Sequence, residues 1–346
     1  MKKKQIIFIY PYLYTFVKTD IDLLSNNFRI ISIKQNWTKQ ILLPFNFFIQ
    51  FIFLVFNINR VGVILISFGG YSSFLPSLLG NLFGKKVAII VHGTDCVSFP
   101  QINYGNLRKP LLRYFTRKSY QWSSIILPVS ESLVYTKNNY FSDKTLRFGY
   151  THHLSDIKTP CKVIPNALDG GFWKCDDSIN RNQNSFVTVL SKGKELVKGV
   201  DLIVKIAKSF PNLKFYMAGV DNLNLADVSK NIFFKGKLSP QELKILYNES
   251  KFYFQLSNTE GFGVALCEAM LCGCIPIVSD VNFLPSIVGN SGFVLKKRNP
   301  DMLIDLMNKA LSFNLNDFKE KPRNRILEKF SMENRQRLLT SALLDS

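Results

Sequence analysis

The chain is poor in the residues that metal sites and disulfide frameworks need. It holds three histidines and six cysteines (Cys96, Cys161, Cys175, Cys267, Cys272 and Cys274) among 346 residues. No two cysteines form a CxxC pair, and Cys267, Cys272 and Cys274 sit in and after one helix-like run that wants small apolar side chains. That spacing argues against zinc and for a reduced, cytoplasmic compartment. A Walker loop is missing too, since GxxxxGK[ST] occurs nowhere. "MKKKQIIFIYPYLYTF" starts basic but continues strand-like without a small-residue cleavage site, so no secretory leader is expected. Acidic residues are scarce: 25 Asp and Glu stand against 44 Lys and Arg, a net charge of +19. Residues 1–170 carry 20 basic against 7 acidic side chains, and residues 171–346 carry 24 against 18. Such a surplus favours an anionic partner: a phosphorylated ligand, nucleic acid or acidic lipid.

A clean membrane span is also lacking. The most apolar stretch, "ILLPFNFFIQFIFLVFNI" from Ile41 to Ile58, is broken by Pro44, Asn46, Gln50 and Asn57, whereas a span needs about 20 uninterrupted residues. A buried core helix or a helix lying in a membrane interface fits it better. No segment has the biased composition of a disordered tail, and 47% apolar residues supply an interior. The length suits two domains of about 150 to 170 residues each.

What the chain does have is alternation. "QIIFIY", "FRIISI", "GVILIS", "KVAIIVHG" and "SIILPVS" are short apolar runs separated by helical stretches such as "SFLPSLLGNLFG". The second half repeats the plan with "SFVTVLS", "LKFYMAG", "IFFKG", "KFYFQLS", "IPIVSD" and "GFVLKK". Continuous apolar strands between helices predict an α/β fold with parallel sheets covered on both faces. "SPQELKILYNES" predicts a helix with a capping box, Ser239 as N-cap and Glu242 three residues on. The polar stretch "DDSINRNQNS" marks the division between two doubly wound domains. In such folds ligands bind beyond the carboxyl ends of the strands.

Three segments carry candidate chemistry. In "NTEGFGVALCEAMLCGCIPIVSD" a strand gives way to Glu260, then Gly261, Phe262 and Gly263, then a helix bearing Glu268. The glycines let backbone approach a ligand, and the helix start offers unpaired N–H groups. Glu268 lies ~8 Å further along the axis. Acceptors flanking an N–H-rich turn suit hydroxyls at both ends and phosphates between, the layout of a nucleotide sugar. "LSKGKELVKGVDLIVKIA" sets Lys192, Lys194 and Lys198 around Gly193 and Gly199 on a strand-to-helix loop, a place for a diphosphate. "IIVHGTD" puts His92 at a strand end as a candidate hydrogen-bond donor.

With these residues assembled, the chain resembles retaining glycosyltransferases of the GT-B fold, glycosyltransferase family 4 or group 1 transferases. "EGFGVALCEAMLCGCIPIVSD" is similar to the family's E-x7-E signature, "KGVDLIVKIA" to its phosphate loop and helix, "VIPNALD" to its V-I-P-N-G-V-D linker, and "VHGTD" to its amino-domain histidine motif. The resemblance implies two Rossmann-like doubly wound domains facing a cleft. Residues 1–172 would form an acceptor domain, 184–314 a nucleotide-sugar-binding domain, and 315–346 C-terminal helices that return to the first. It implies that Glu260 and His92 are catalytic, Glu260 and the Phe262 and Gly263 amides meeting sugar hydroxyls and His92 the donor sugar from the other domain. Glu268 would hold the ribose and Lys198 the diphosphate, with no metal and no cofactor. Two departures stand out. The family's Gly-Arg arginine is replaced by Gly193, so that Lys192 or Lys194 takes its place without a bidentate grip. "YPYLYTFVKTD" replaces the Gly-Gly turn after the first strand.

The implied activity is transfer of a hexose from a nucleotide diphosphate-sugar to a glycan or lipid-linked acceptor with retention, in cell-surface polysaccharide synthesis. A sugar-nucleotide epimerase and a non-catalytic, membrane-associated scaffold are the rival readings. Nucleic acid is not an expected partner, since no binding motif accompanies the charge. An anionic membrane surface is, on the inner face of the cell membrane. In "RKPLLRYFTRKSYQW" Leu111, Leu112, Phe115 and Trp122 are expected on one helical face, with Arg113, Arg117 and Lys118 elsewhere.

Overall fold

Runs of isoleucine, valine and phenylalanine become strands, and the central ones are buried along nearly their whole length. In the computed structural model, which describes residues 3–223, 228–313 and 320–344, the first half supplies β1 (Lys4–Tyr10), α1 (Thr15–Ser25), β2 (Phe28–Lys34), α2 (Leu43–Asn57), β3 (Val63–Ser67), α3 (Tyr71–Leu82), β4 (Lys86–Val91), α4 (Pro110–Trp122) and β5 (Ile125–Pro128). Its sheet runs β2-β1-β3-β4-β5, every pair parallel. Parallel neighbours require crossovers, which the helices provide. Short strands β6 (Thr136–Asn138) and β7 (Leu146–Phe148) pair with each other, and a single turn, α5 (Tyr150–His153), follows.

The second sheet is built from β8 (Asn182–Val189), β9 (Lys214–Ala218), β10 (Ile232–Phe234), β11 (Ser250–Gln255), β12 (Ile275–Ser279) and β13 (Phe293–Leu295). Its order is β10-β9-β8-β11-β12-β13, again parallel throughout. Helices α6 (Val200–Ala207), α7 (Pro240–Glu249), α8 (Val264–Leu271), α9 (Leu284–Val288), α10 (Pro300–Ser312) and α11 (Lys321–Lys329) belong with it. Phe186 stacks on Phe252 and Phe254 with ring centres 4.7 and 4.9 Å apart, locking β8 to β11. The capping box of α7 forms as its sequence predicts: Ser239 Oγ accepts the Glu242 amide at 3.3 Å and the Ser239 amide donates to Glu242 Oε2 at 2.7 Å.

The chain divides into two units, but not as a simple succession. One comprises Met1–Thr136, Arg147–Ala167 and Met332–Ser346; the other comprises Lys137–Leu146 and Leu168–Ser331. The chain thus passes between units at Ala167–Leu168 rather than in the polar stretch after it. The boundary drawn at 314/315 lies outside the described residues. Of the C-terminal helices, α11 groups with the second unit and α12 (Met332–Leu344) with the first. There Arg335 makes a buried, bidentate pair with Asp20 of α1 at 2.5 and 2.7 Å.

Two expectations about helices are corrected. Helix α2 is not a buried core helix: Asn46, Gln50 and Leu54 are its buried residues, and Phe45, Phe48, Phe51 and Phe56 are exposed. In α4, Leu111 does not share the inner face with Leu112; it is exposed beside Tyr114, while Thr116, Ser119 and Tyr120 are buried. Successive residues on a helix are about 100° apart, which separates Leu111 from Leu112. Arg117 is tied to Asp156 at 2.8 Å.

Candidate active site

Strand β11 is apolar until its end, where buried polar residues take over. Gln255, Ser257, Asn258 and Thr259 are all buried, so each needs a partner. Tyr253 donates to Gln255 Oε1 at 2.8 Å, and Gln255 Nε2 donates to Ser257 Oγ and Glu260 Oε2, both at 2.8 Å. Ser257 Oγ also donates to Glu260 Oε2, at 3.2 Å. Lys198 Nζ reaches the same oxygen at 2.7 Å. Three donors therefore converge on Oε2 and fix the carboxylate, while Oε1 accepts no hydrogen bond among the described residues. The Glu260 amide donates to Asn282 Oδ1 at 3.0 Å, and Asn282 holds a left-handed φ of 49°. Strain of that kind gathers at functional sites.

The lysine loop is pinned to the same strand end. The Asn258 amide donates to Val197 O at 2.8 Å, and Asn258 Nδ2 to Leu196 O at 2.7 Å. Gly199, at φ 67°, lies so close that a Cβ would stand 1.9 Å from Leu256 O, so no other residue fits. Lys192 and Lys194 are exposed on the turn around Gly193, and Lys194 O accepts the Lys198 amide at 2.9 Å. Gly263 enters α8 at φ 114°. The Phe262 ring packs on Phe283 and Phe330, with centres 5.9 and 5.1 Å away. Its ring is core, so only its backbone can serve a ligand beside Gly261.

Glu268 lies in α8 with 8% of its surface exposed. Burial pushes its carboxyl up to about 8, and no hydrogen bond to its side chain is seen among the described residues. A carboxyl of this kind is stabilised by hydroxyl donors brought by a ligand. Gln255, Ser257 and Asn282 were not picked out from sequence. The first two could have been, as polar residues closing an apolar strand; Asn282 sits in the next strand-to-helix loop with no local signal.

The first unit carries its own set of groups at the carboxyl ends of β1, β3 and β4. His92 Nε2 is 2.9 Å from Ser67 Oγ, and its ring lies between Phe16 and Phe68 at 4.5 and 4.4 Å. Removal from water, with the Arg335 charge second, holds His92 well below the usual imidazole range. The neutral ring has a buried Nδ1 without a hydrogen-bond partner among the described residues. Asp95, fully buried, accepts the amides of Gly69, Gly93 and His92 at 2.9, 2.9 and 3.2 Å and so ties the β3 and β4 loops together. Phe68 is held at φ 71°. Beside it opens a pocket of about 470 Å³ lined by Tyr12, Tyr14, Trp37, Phe68, Thr94 and Lys109 among others. The aromatic segment after β1 forms part of this lining, and a glycine pair, Gly69–Gly70, completes it after β3. Aromatic walls with one exposed ammonium suit a hydroxylated ring beside a phosphate.

Residues 172–328 match the family model described as Glycosyl transferases group 1. Over 189 residues the chain is 23% identical to a phosphatidylinositol N-acetylglucosaminyltransferase component of Arabidopsis thaliana, covering 51% of this chain and 42% of that protein. Over 112 residues it is 33% identical to GDP-mannose:cellobiosyl-diphosphopolyprenol alpha-mannosyltransferase of Xanthomonas oryzae pv. oryzae, covering 30% of each. The matches thus span less than half the length of these relatives. The sucrose-phosphate synthase structure from Thermosynechococcus elongatus superposes with a TM-score of 0.76 at 12% identity over 98% of both chains. The fold is GT-B, with one Rossmann-like domain in each unit.

Proposed function

We propose that the protein is a retaining hexosyltransferase. It would move a sugar from a nucleotide diphosphate-sugar to a glycan or lipid-linked acceptor in cell-surface polysaccharide synthesis. The observation that carries this is the Glu260 carboxylate, fixed through Oε2 by Lys198 at 2.7 Å and by Gln255 and Ser257, with no hydrogen bond to Oε1 among the described residues. The matched family model and the names of the two relatives support the same class: both names include a lipid, and one of them names GDP-mannose. In this reading Glu260 Oε1 accepts from the sugar hydroxyls and Glu268 from the ribose hydroxyls. Lys198, with Lys192 or Lys194, and the amides of Gly261, Phe262 and Gly263 meet the diphosphate.

The acceptor oxygen bonds to the anomeric carbon on the face from which the diphosphate departs, and its proton passes to the departing phosphate oxygen. The anomeric carbon–phosphate oxygen bond breaks with its electron pair on the phosphate. Preorganised cationic and N–H donors stabilise the charge that develops there, so neither metal nor cofactor is called for. His92, a neutral ring whose Nδ1 has no hydrogen-bond partner among the described residues, donates to a sugar hydroxyl. The aromatic pocket beside Lys109 takes the acceptor.

The test is release of nucleoside diphosphate from a panel of nucleotide sugars, with and without chelator, followed by NMR of the product's anomeric configuration. The expected result is acceptor-dependent release with one donor, unchanged by chelator, and retained configuration. Binding without release in every acceptor condition indicates a scaffold. Conversion of the sugar while still nucleotide-linked indicates an epimerase.

A further inference from the structure

Helix α2 is built the wrong way round for water. Asn46, Gln50 and Leu54, one turn apart, are its buried residues, and Gln50 has no exposure at all. The polar two are not accidents of packing, because each is spent on backbone. Asn46 Nδ2 donates to Asn36 O at 2.9 Å, Gln50 Nε2 to Ser72 O at 2.9 Å, and Gln35 Nε2 to Asn46 O at 3.0 Å. The inward stripe is thus anchored by hydrogen bonds, with Leu43 and Phe47 adding contacts to Trp37, Tyr71 and Leu112. The outward seam is the apolar one. Ile41, Phe45, Phe48 and Phe56 are 88%, 61%, 63% and 68% exposed, and Ile49, Phe51, Ile52 and Val55 accompany them. A continuous apolar face of this kind marks a surface that meets something other than water.

We propose that this face docks on an anionic membrane, α2 lying flat in the interface. Two observations decide between occupants. The helical run with its flanking turns covers Gln40–Arg60, and exposed cations stand at its two ends, Lys39 and Arg60. Residues 1–170 carry 20 Lys and Arg against 7 Asp and Glu. A second copy of the chain seated on this face would bring those like charges together. An anionic lipid surface neutralises them while the phenylalanines enter the acyl boundary. Spanning is a different matter: crossing the bilayer would strip Asn46 and Gln50 of their anchoring bonds and place them in hydrocarbon. Trp37 and Gln40, at the entry to the helix, also line the aromatic pocket, so the docked helix sets that pocket beside the lipid surface. The inference stands on α2 alone and does not depend on the transferase reading.

The full-length protein is sedimented with vesicles of phosphatidylcholine alone or mixed with phosphatidylglycerol, over a salt series and without donor or acceptor. Binding is expected only to the mixed vesicles and is lost as salt rises. Phe45→Ser with Phe48→Ser should weaken it by about tenfold or more without lowering the melting temperature, since both side chains are exposed. Lys39→Glu with Arg60→Glu should remove the preference for phosphatidylglycerol in a chain whose apolar face is intact. Equal binding to both vesicle types, no binding to either, or full binding by the serine variant overturns the proposal. A dimer that the serine substitutions dissociate, with no vesicle binding, overturns it in favour of a second copy.

Discussion

Glu268 combines near-complete burial with no hydrogen-bond donor among the described residues, and the consequence is a pH dependence with a definite sign. Its carboxyl titrates near 4.5 when exposed and is pushed up to about 8 by burial. Folding therefore favours the protonated form. The stability tied to it is fully present below pH 4.5 and is lost as pH rises through 8, by a few kcal/mol in all. In Glu268→Gln the fall in melting temperature across that window should shrink, measured by differential scanning fluorimetry. If ribose hydroxyls supply the missing donors, the same substitution raises donor KM with little change in kcat, because that contact is common to ground and transition states. Glu260→Ala should instead lower kcat by about two orders of magnitude or more, measured by nucleotide release. Lys198 and Glu260 share one oxygen contact, so Lys198→Ala combined with Glu260→Ala should cost less than the sum of the single changes.

At the scale of elements, the loop before α6 and the helix α2 show what local pattern does and does not reveal. Gly199→Ala places a methyl where Leu256 O stands 1.9 Å away, at φ 67°. The loop must move, at about 1–3 kcal/mol of stability. Calorimetric titration with nucleoside diphosphate should show weakened binding, since Lys198 is the next residue. The parallel strands, the α7 capping box and the glycine-bracketed turn at Glu260 were all readable, because each depends on residues adjacent in sequence. The inverted face of α2 was not: in a run where nearly everything is apolar, Asn46 and Gln50 read as interruptions rather than as the anchoring stripe. The Asn282–Glu260 bond, 3.0 Å long across 22 residues, and the three-donor grip on Glu260 likewise needed the fold to bring loops together. Gln50→Ala should cost about 1–3 kcal/mol by leaving Ser72 O without its buried donor, measured by urea unfolding. Phe48→Ser, at 63% exposure, should cost almost nothing. A helix whose polar substitution is harmless and whose apolar-for-polar substitution is costly is inverted in energy as well as in geometry.

At the scale of the whole molecule, the units are discontinuous in sequence, and what closes the first of them is a contact no local pattern announces. Arg335 and Asp20 are 315 residues apart. Beyond its carboxylate partner, Arg335 donates to Ile164 O and Pro165 O at 3.0 and 2.6 Å, so α12, α1 and the segment before Ala167 are joined by one guanidinium. Arg335 is 2% exposed and Asp20 fully buried. Removing one partner leaves an uncompensated buried charge, which costs about 3–5 kcal/mol. Arg335→Ala should therefore unfold the first unit at lower temperature, seen as an early transition by circular dichroism. The residues set around Glu260 and Lys198 belong to the other unit, so a nucleoside diphosphate should still raise the later transition. Replacing both partners with apolar residues of similar volume, Asp20→Leu with Arg335→Met, should recover part of the loss, because a buried pair must first overcome its own desolvation. Recovery is limited by Ile164 O and Pro165 O, which lose their donor in either variant. Equal losses in the single and double variants would mean that Arg335 acts through those carbonyls rather than through Asp20.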